Sequence, residues 1–200
     1  MHIYLASGNP HKLREIAEML MRLDTTVNLY SAEALEGMPE VSEDGATFEE
    51  NAAIKALAIQ PLIPRGAWVL ADDSGLEVPA LDGAPGVRSA RYAGAGATDA
   101  ANNLKLLHEL EGIPDADRTA RFVCVLLLRS STDEIHRFTG ICHGRILESP
   151  RGTGGFGYDP LFQPEGLESS FAELPPGEKN RISHRAKAVD RLARWVSLQV

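Results

Sequence analysis

The chain has 200 residues, 44% of them hydrophobic and 24% charged, with a formal net charge of -8, which is the composition of a soluble protein of one domain, or one domain with two lobes. The acidic balance excludes broad phosphate-driven binding to DNA or RNA, and leaves phosphate recognition to places where a few basic residues converge; Lys12, Lys55, Lys179, Arg181 and Arg185 are the candidates. The longest apolar run, Phe122 to Leu128, excludes a transmembrane helix, and Cys124 and Cys142 are too few for a disulfide framework or a zinc site. The opening MHIYLASGNP lacks the regions of a signal peptide, so the expected setting is cytoplasmic.

In chain order, His2 to Ala6 reads as a strand. Apolar Leu13, Ile16, Ala17 and Leu20 then recur at helical spacing, which leaves SGNPHK as a strand-to-helix loop. Residues 47–60 read as a helix, with Thr47 three residues before Glu50 in a capping-box arrangement and Pro61 at the far end. Trp68 to Ala71 is expected as a short buried strand that delivers Asp72 and Asp73 into a Ser-Gly turn. A further helix spans Asp99 to Leu110, with Asp99 as its cap. Two β-rich runs, Arg121–Arg129 and Glu134–Ile146, are joined by the turn-forming SSTD and make a hairpin. The last helix carries Ile182, Ala186, Val189, Leu192 and Val196 on one face. Alternating strands and helices followed by a hairpin imply an α/β fold with a sheet of mixed direction covered by helices.

Five stretches have the residue types for chemistry. In SGNPHK, a strand running into a helix aims backbone N–H groups and a helix dipole at one spot, with Lys12 adding a full charge; it is a phosphate cradle or an ordinary turn, and it is not a Walker A loop. Glu43 and Asp44 precede a helix start, where they serve either as capping acids or as metal ligands shared with the 72–73 pair. Lys55 shares a helix face with Asn51 and points either at neighbours or at a phosphate. Asp72 and Asp73 face opposite sides if the strand continues, so one acts and the other supports, and spacing alone does not say which. A carboxylate beside magnesium stays ionised and can deprotonate a water.

The loop GTGGFGYDPLF lacks the strand and helix of a dinucleotide fingerprint, which argues against a dinucleotide-dependent oxidoreductase. It presents Phe156 and Tyr158 for stacking on a base, or for packing, with Asp159 as a polar contact. In GEKNRISHRAKAV, Lys179 lies in the loop before the last helix, while His184 and Arg185 at its start offer donors to a base edge. No G-x-S-x-G elbow supports a hydrolase triad around Ser183 and His184.

Taken in this order, SGNPHK, TFEENAAIKA, ADDSGLEV, GAPGVRSARYAG, GTGGFGYDP and SHRAKAV resemble the inosine/xanthosine triphosphate pyrophosphatase family, the non-canonical purine NTP pyrophosphatases. The resemblance runs from Ser7 to Val189. It implies a single domain over residues 1–200, built on an elongated mixed β-sheet flanked by helices, with two lobes and a cleft between them, and a homodimer. It also implies magnesium-dependent hydrolysis of ITP, dITP and XTP to the monophosphate and pyrophosphate, with neither nucleic acid nor membrane as a partner. By this resemblance Ser7, Gly8, Asn9, Pro10, His11 and Lys12 bind the triphosphate, Lys55 is a possible phosphate contact, and Asp73 is the proton acceptor. Asp73 and Glu43 hold magnesium, although Ser42 stands where many bacterial members have a second glutamate. Ser74 touches substrate, Phe156, Gly157, Tyr158 and Asp159 hold the base with Phe156 stacked on it, and Lys179, His184 and Arg185 complete its recognition. Two rivals are a pyrophosphatase for modified pyrimidine nucleotides and a nucleotide-sensing module that binds without turnover.

Overall fold

The computed structural model describes residues 1–23 and 26–199. Six strands, β1 (His2–Ala6), β2 (Asn28–Ser31), β3 (Trp68–Glu77), β4 (Thr119–Ser130), β5 (Ile135–Ile146) and β6 (Phe162–Pro164), form one sheet in the order β2-β1-β3-β4-β5-β6. β1 is parallel to both neighbours, with Leu5 opposite Ser31 on one side and Leu70 on the other, because a helix intervenes before each return. β5 and β6 are antiparallel, so the sheet is mixed, as the element order implied. The turn after β4 is closed by the Ser130 N–H donating to the Glu134 carbonyl at 2.9 Å.

Among the described residues five α-helices flank the strands: α1 (Pro10–Arg22), α2 (Phe48–Ile59), α3 (Asp99–Glu109), α4 (Pro176–Ile182) and α5 (His184–Ser197). None is long and apolar enough to cross a membrane, among the described residues. Thr47 caps α2, its hydroxyl accepting from the Glu50 N–H at 3.1 Å, but the Glu50 carboxylate accepts from Ala46 instead of closing the box on Thr47. Three other expectations are corrected. Thr98, not Asp99, caps α3, its hydroxyl accepting from the Ala101 N–H, so that Asp99 is the first helical residue. Lys179 lies in α4, not in a loop. Extended backbone at Ser183 (φ -65°, ψ 162°) divides the last helix, so Ile182 does not share a stripe with Ala186 and Val189.

The chain divides into two compact units. The first comprises Met1–Asp73, Cys124–Gly140 and Arg185–Val200, the second Ser74–Val123 and Ile141–His184. Strand alternation organises the first unit. Leu70, Leu126 and Leu128 pack with Ile16 and Leu20 of α1 and with Val189 and Leu192 of α5, whereas Val69, Ala71 and Leu127 pack with Ala52, Ala56 and Ile59 of α2. The buried leucines, isoleucines and valines contribute about 1.5–3 kcal/mol each to holding these layers together. The second unit has its own core, in which Leu76, Phe122, Ile146 and Phe162 meet Leu106 of α3 and Leu110 at its C-cap together with Tyr158 and Phe171.

Candidate active site

β3 does not end at the aspartates. It runs on through Ser74 and Gly75 to Glu77, so the expected turn is absent and the two-residue alternation persists across the acidic pair. Asp72 therefore emerges with Leu70 on the α1 and α5 face, and Asp73 with Val69 and Ala71 on the α2 face.

On the first face Asp72 is fully buried. Its Oδ1 pairs with the Lys12 ammonium from the first turn of α1, and its Oδ2 accepts from Arg185 Nε at 2.9 Å and from the Cys124 thiol at 3.3 Å. Arg185, 1% exposed, also pairs through Nη1 with Glu15 Oε2 at 2.5 Å. Burial pushes the Asp72 carboxyl up, but the Arg185 and Lys12 charges outweigh it and hold the group well below the usual carboxylate range. The same burial, reinforced by the Asp72 charge, pushes the Cys124 thiol well up and keeps it protonated. Asp72 is thus tied up in ion pairs and anchors Lys12.

On the other face Asp73 is 5% exposed. Its Oδ1 accepts from Lys55 Nζ at 2.5 Å, and the same ammonium lies 3.0 Å from Glu43 Oε2. Burial raises the Asp73 carboxyl above its ordinary value, more than Lys55 and Lys12 lower it. For Lys55, burial opposes the charge, yet Asp73 and Glu43 hold it above the ordinary lysine value. Asp73 Oδ2 is buried with no hydrogen-bond partner among the described residues. A buried carboxylate oxygen left this way costs free energy unless something binds it. One helical turn before Lys55, Asn51 is fully buried and accepts from the Gly45 N–H at 2.9 Å, tying the segment that carries Glu43 to α2.

The Ser7–Lys12 segment differs from a cradle of free helix N–H groups. Ser7 Oγ accepts from the Asn9 N–H at 3.1 Å, Asn9 Oδ1 caps α1 by accepting from the His11 and Lys12 N–H groups, and Pro10 has no N–H. The charged group at this strand-to-helix junction is the Lys12 ammonium, positioned by Asp72.

The remaining residues named from the sequence lie in the second unit. Ser74 is half-buried on β3. In the loop between β5 and β6, Asp159 Oδ2 accepts from the Phe156 N–H at 2.8 Å and from Lys179 Nζ at 2.6 Å, and that ammonium lies 4.8 Å from the centre of the half-buried Phe156 ring. Tyr158 is placed differently from the stacking role open to it in the sequence, because its ring is buried in the core and its hydroxyl donates to the Ser89 carbonyl at 2.9 Å. His184 is buried and stacks on Phe122, 4.7 Å between ring centres at 11°. Arg185, expected beside it as a base contact, instead has its guanidinium in the buried network of the first unit. Adjacent positions at a helix start diverge by about 100° around the axis, which the reading of His184 and Arg185 as a pair overlooked.

The family model described as the Ham1 family matches residues 3–195. The chain belongs to the Ham1 family. It is 50% identical over 199 residues to a dITP/XTP pyrophosphatase of Opitutus terrae, covering 98% of each chain, and 52% identical over 187 residues to one of Geobacter sulfurreducens, covering 94% of this chain and 92% of that one. Among solved structures, a HAM1 protein from Coxiella burnetii superposes with a TM-score of 0.88 at 42% identity over 98% of each chain.

In this Ham1-family chain the loop before β6 depends on Gly155. Its φ is +72°, and a Cβ there would stand 2.0 Å from Asp159 Oδ2, the oxygen that holds Phe156 and Lys179. Gly155→Ala is expected to lower unfolding stability by about 1–3 kcal/mol, from left-handed strain and the displaced carboxylate. Urea denaturation checks this, and a midpoint equal to that of the parent protein contradicts it.

Proposed function

We propose that the chain hydrolyses the non-canonical purine triphosphates ITP, dITP and XTP to the monophosphate and pyrophosphate, with magnesium. The relatives named dITP/XTP pyrophosphatase support this reading. The observation that carries the chemistry is Asp73, with one oxygen on Lys55 and the other buried without a partner.

Asp73 is the general base. Its carboxyl is raised by burial, which makes it a better proton acceptor than an exposed aspartate, while Lys55 fixes its orientation. A water activated by Asp73 attacks the α-phosphorus, its proton goes to the carboxylate, and the bond from the α-phosphorus to the bridging oxygen breaks, releasing pyrophosphate. Lys12, held by Asp72, offsets charge on the phosphate oxygens, and Lys55 adds to the same field.

Among the described residues no three acidic, histidine or cysteine side chains converge as a ready-made metal site. Two carboxylates nevertheless suit magnesium, which takes few protein ligands and completes its shell with phosphates and water. Asp73 through Oδ2 and Glu43 would hold it, and both already face one cation, the Lys55 ammonium. Bound there, magnesium supplies charge neutralisation on the phosphates and acidifies a coordinated water.

Base selection is assigned to the second unit. Phe156 supplies a stacking face, with Asp159 holding its backbone N–H and the Lys179 ammonium over its ring. Donors directed at position 6 of a purine donate to a keto oxygen and leave an amino group without an acceptor, which discriminates against adenine.

Pyrophosphate release from ITP, XTP, dITP, GTP, ATP and dUTP, with magnesium and with a chelator, tests the reading. Rapid release from ITP, dITP and XTP, abolished by chelation, is expected. Release from dUTP in their place favours the pyrimidine-nucleotide reading, and binding without release favours a sensing module.

A further inference from the structure

Gly157 is gripped from both sides by one helix. Its N–H donates to Asp99 Oδ2 at 2.6 Å, and its carbonyl accepts from Asn103 Nδ2 at 2.9 Å. Asp99 and Asn103 are four residues apart on α3 and so stand on the same face, one turn above the other. The two bonds fix different peptide planes, since the Gly157 N–H belongs to the 156–157 peptide and its carbonyl to the 157–158 peptide. A third plane, 155–156, is fixed by Asp159 through the Phe156 N–H.

Both backbone dihedrals of Phe156 are set by the planes before and after it, one held by Asp159 and the other by Asp99. Gly157, at φ +61°, is the joint that lets the chain leave Phe156 in the left-handed region, and Asn103 stops that joint from swinging. Asn103 keeps this bond although its own Oδ1 is buried without a partner among the described residues. Turning the amide over would satisfy neither group, because it would place oxygen against the Gly157 carbonyl.

We propose that Asp99 and Asn103 are positioning residues for purine specificity, acting on the base through the Gly157 peptides and the aim of the Phe156 ring. The proposal rests on the reading of the chain as a purine triphosphate pyrophosphatase with Phe156 as the stacking face. Neither residue touches the substrate in this scheme. Stacking depends on ring placement, so loosening Phe156 weakens ligands that carry a base and spares ligands that do not.

The test uses four variants. Asp99→Ala removes one grip and lies at an exposed position, and Asn103→Asp is nearly isosteric but replaces the donor to the Gly157 carbonyl with an acceptor. Asp99→Asn keeps an acceptor for the Gly157 N–H, and Leu104→Ala, at an exposed α3 position outside the clamp, is the control. KM and kcat are measured with dITP and XTP, and inorganic tripolyphosphate, which has no base, is used as a competitive inhibitor. Asp99→Ala and Asn103→Asp are expected to raise KM about tenfold with a smaller change in kcat and an unchanged inhibition constant for tripolyphosphate. Asp99→Asn is expected to recover most of the affinity, and Leu104→Ala to match the parent.

Nucleotide and tripolyphosphate affinities that weaken together would mean that α3 merely supports the fold, and would overturn the proposal. Parent-like KM values in both loss variants would overturn it as well. If the unmutated protein itself fails to turn over dITP and XTP, the functional reading has failed, and that result is distinct from a failure of the clamp.

Discussion

Replacing Asp73 by Asn is expected to lower kcat for XTP and dITP by about 10²–10⁴, the range for loss of a positioned general base. Asn keeps the shape of the side chain and an oxygen for Lys55 Nζ, which now contacts Asp73 Oδ1 at 2.5 Å, and Lys55 retains Glu43 at 3.0 Å. The ammonium is therefore never left uncompensated, and the fold should survive. What is lost is the proton-accepting capacity and the anionic charge. Steady-state kinetics with saturating magnesium, beside a melting curve, separates this loss from a loss of fold. A melting temperature within a few degrees of the parent together with a hundredfold or greater fall in kcat is the expected pair of results. Turnover within a few fold of the parent in a well-folded variant would remove Asp73 from the chemistry. The KM offers a further check, because a rise in KM with kcat unchanged would make Asp73 a contact that binds substrate and transition state equally.

Strands β1, β3, β4 and β5 were legible in the sequence at least in part, whereas β2 and β6 were not read. The apolar run in residues 2–6, the Thr47 cap and the turn-forming SSTD each depend on neighbours within a few positions. Ser183 was not legible. The face formed by Ile182, Ala186 and Val189 satisfies helical periodicity, and only the tertiary structure divides it, sending Ile182 to the second core and Ala186 and Val189 to the first. The acidic pair was half legible. Alternation stated that Asp72 and Asp73 would part if the strand continued, yet ADDSG has the composition of a turn, so the strand's true end at Glu77 was hidden. The ion pairs of Arg185 were not legible either. A cationic residue beside His184 in a motif reads as a ligand contact, whereas its partners, Asp72 and Glu15, lie 113 and 170 positions away. Asp99 and Asn103 carried a faint signal, since Asn103 sits on the buried side of α3 beside Leu106, where a polar residue needs a specific partner.

Asp72→Ala is expected to do what Asp73→Asn does not, and unfold the protein more readily. The substitution removes a fully buried carboxylate that answers Arg185 at 2.9 Å and Lys12, and it leaves the Arg185 guanidinium, 1% exposed, with Glu15 as its remaining acidic contact in this network. Breaking a buried pair by deleting one partner costs about 3–5 kcal/mol, mostly from the charge left behind. In a chain of this length that corresponds to a melting temperature lower by roughly 6–20 °C. Deleting both partners, as Asp72→Ala with Arg185→Leu, should cost less than the sum of the two single changes, because the stranded charge is gone. A double-mutant cycle by urea denaturation measures that coupling. Additive losses, or a single-variant loss under about 1 kcal/mol, would mean that the network is solvated and contributes little. The same variant also tests the division of labour between adjacent aspartates. Lys12 loses its anchor when Asp72 is removed, so the folded fraction should bind tripolyphosphate more weakly while the Asp73, Lys55 and Glu43 group on the opposite face of β3 stays in place. A strand that alternates its side chains can in this way give two neighbouring carboxylates separate tasks, which under the proposed function are holding the lysine that meets the phosphates and accepting the proton.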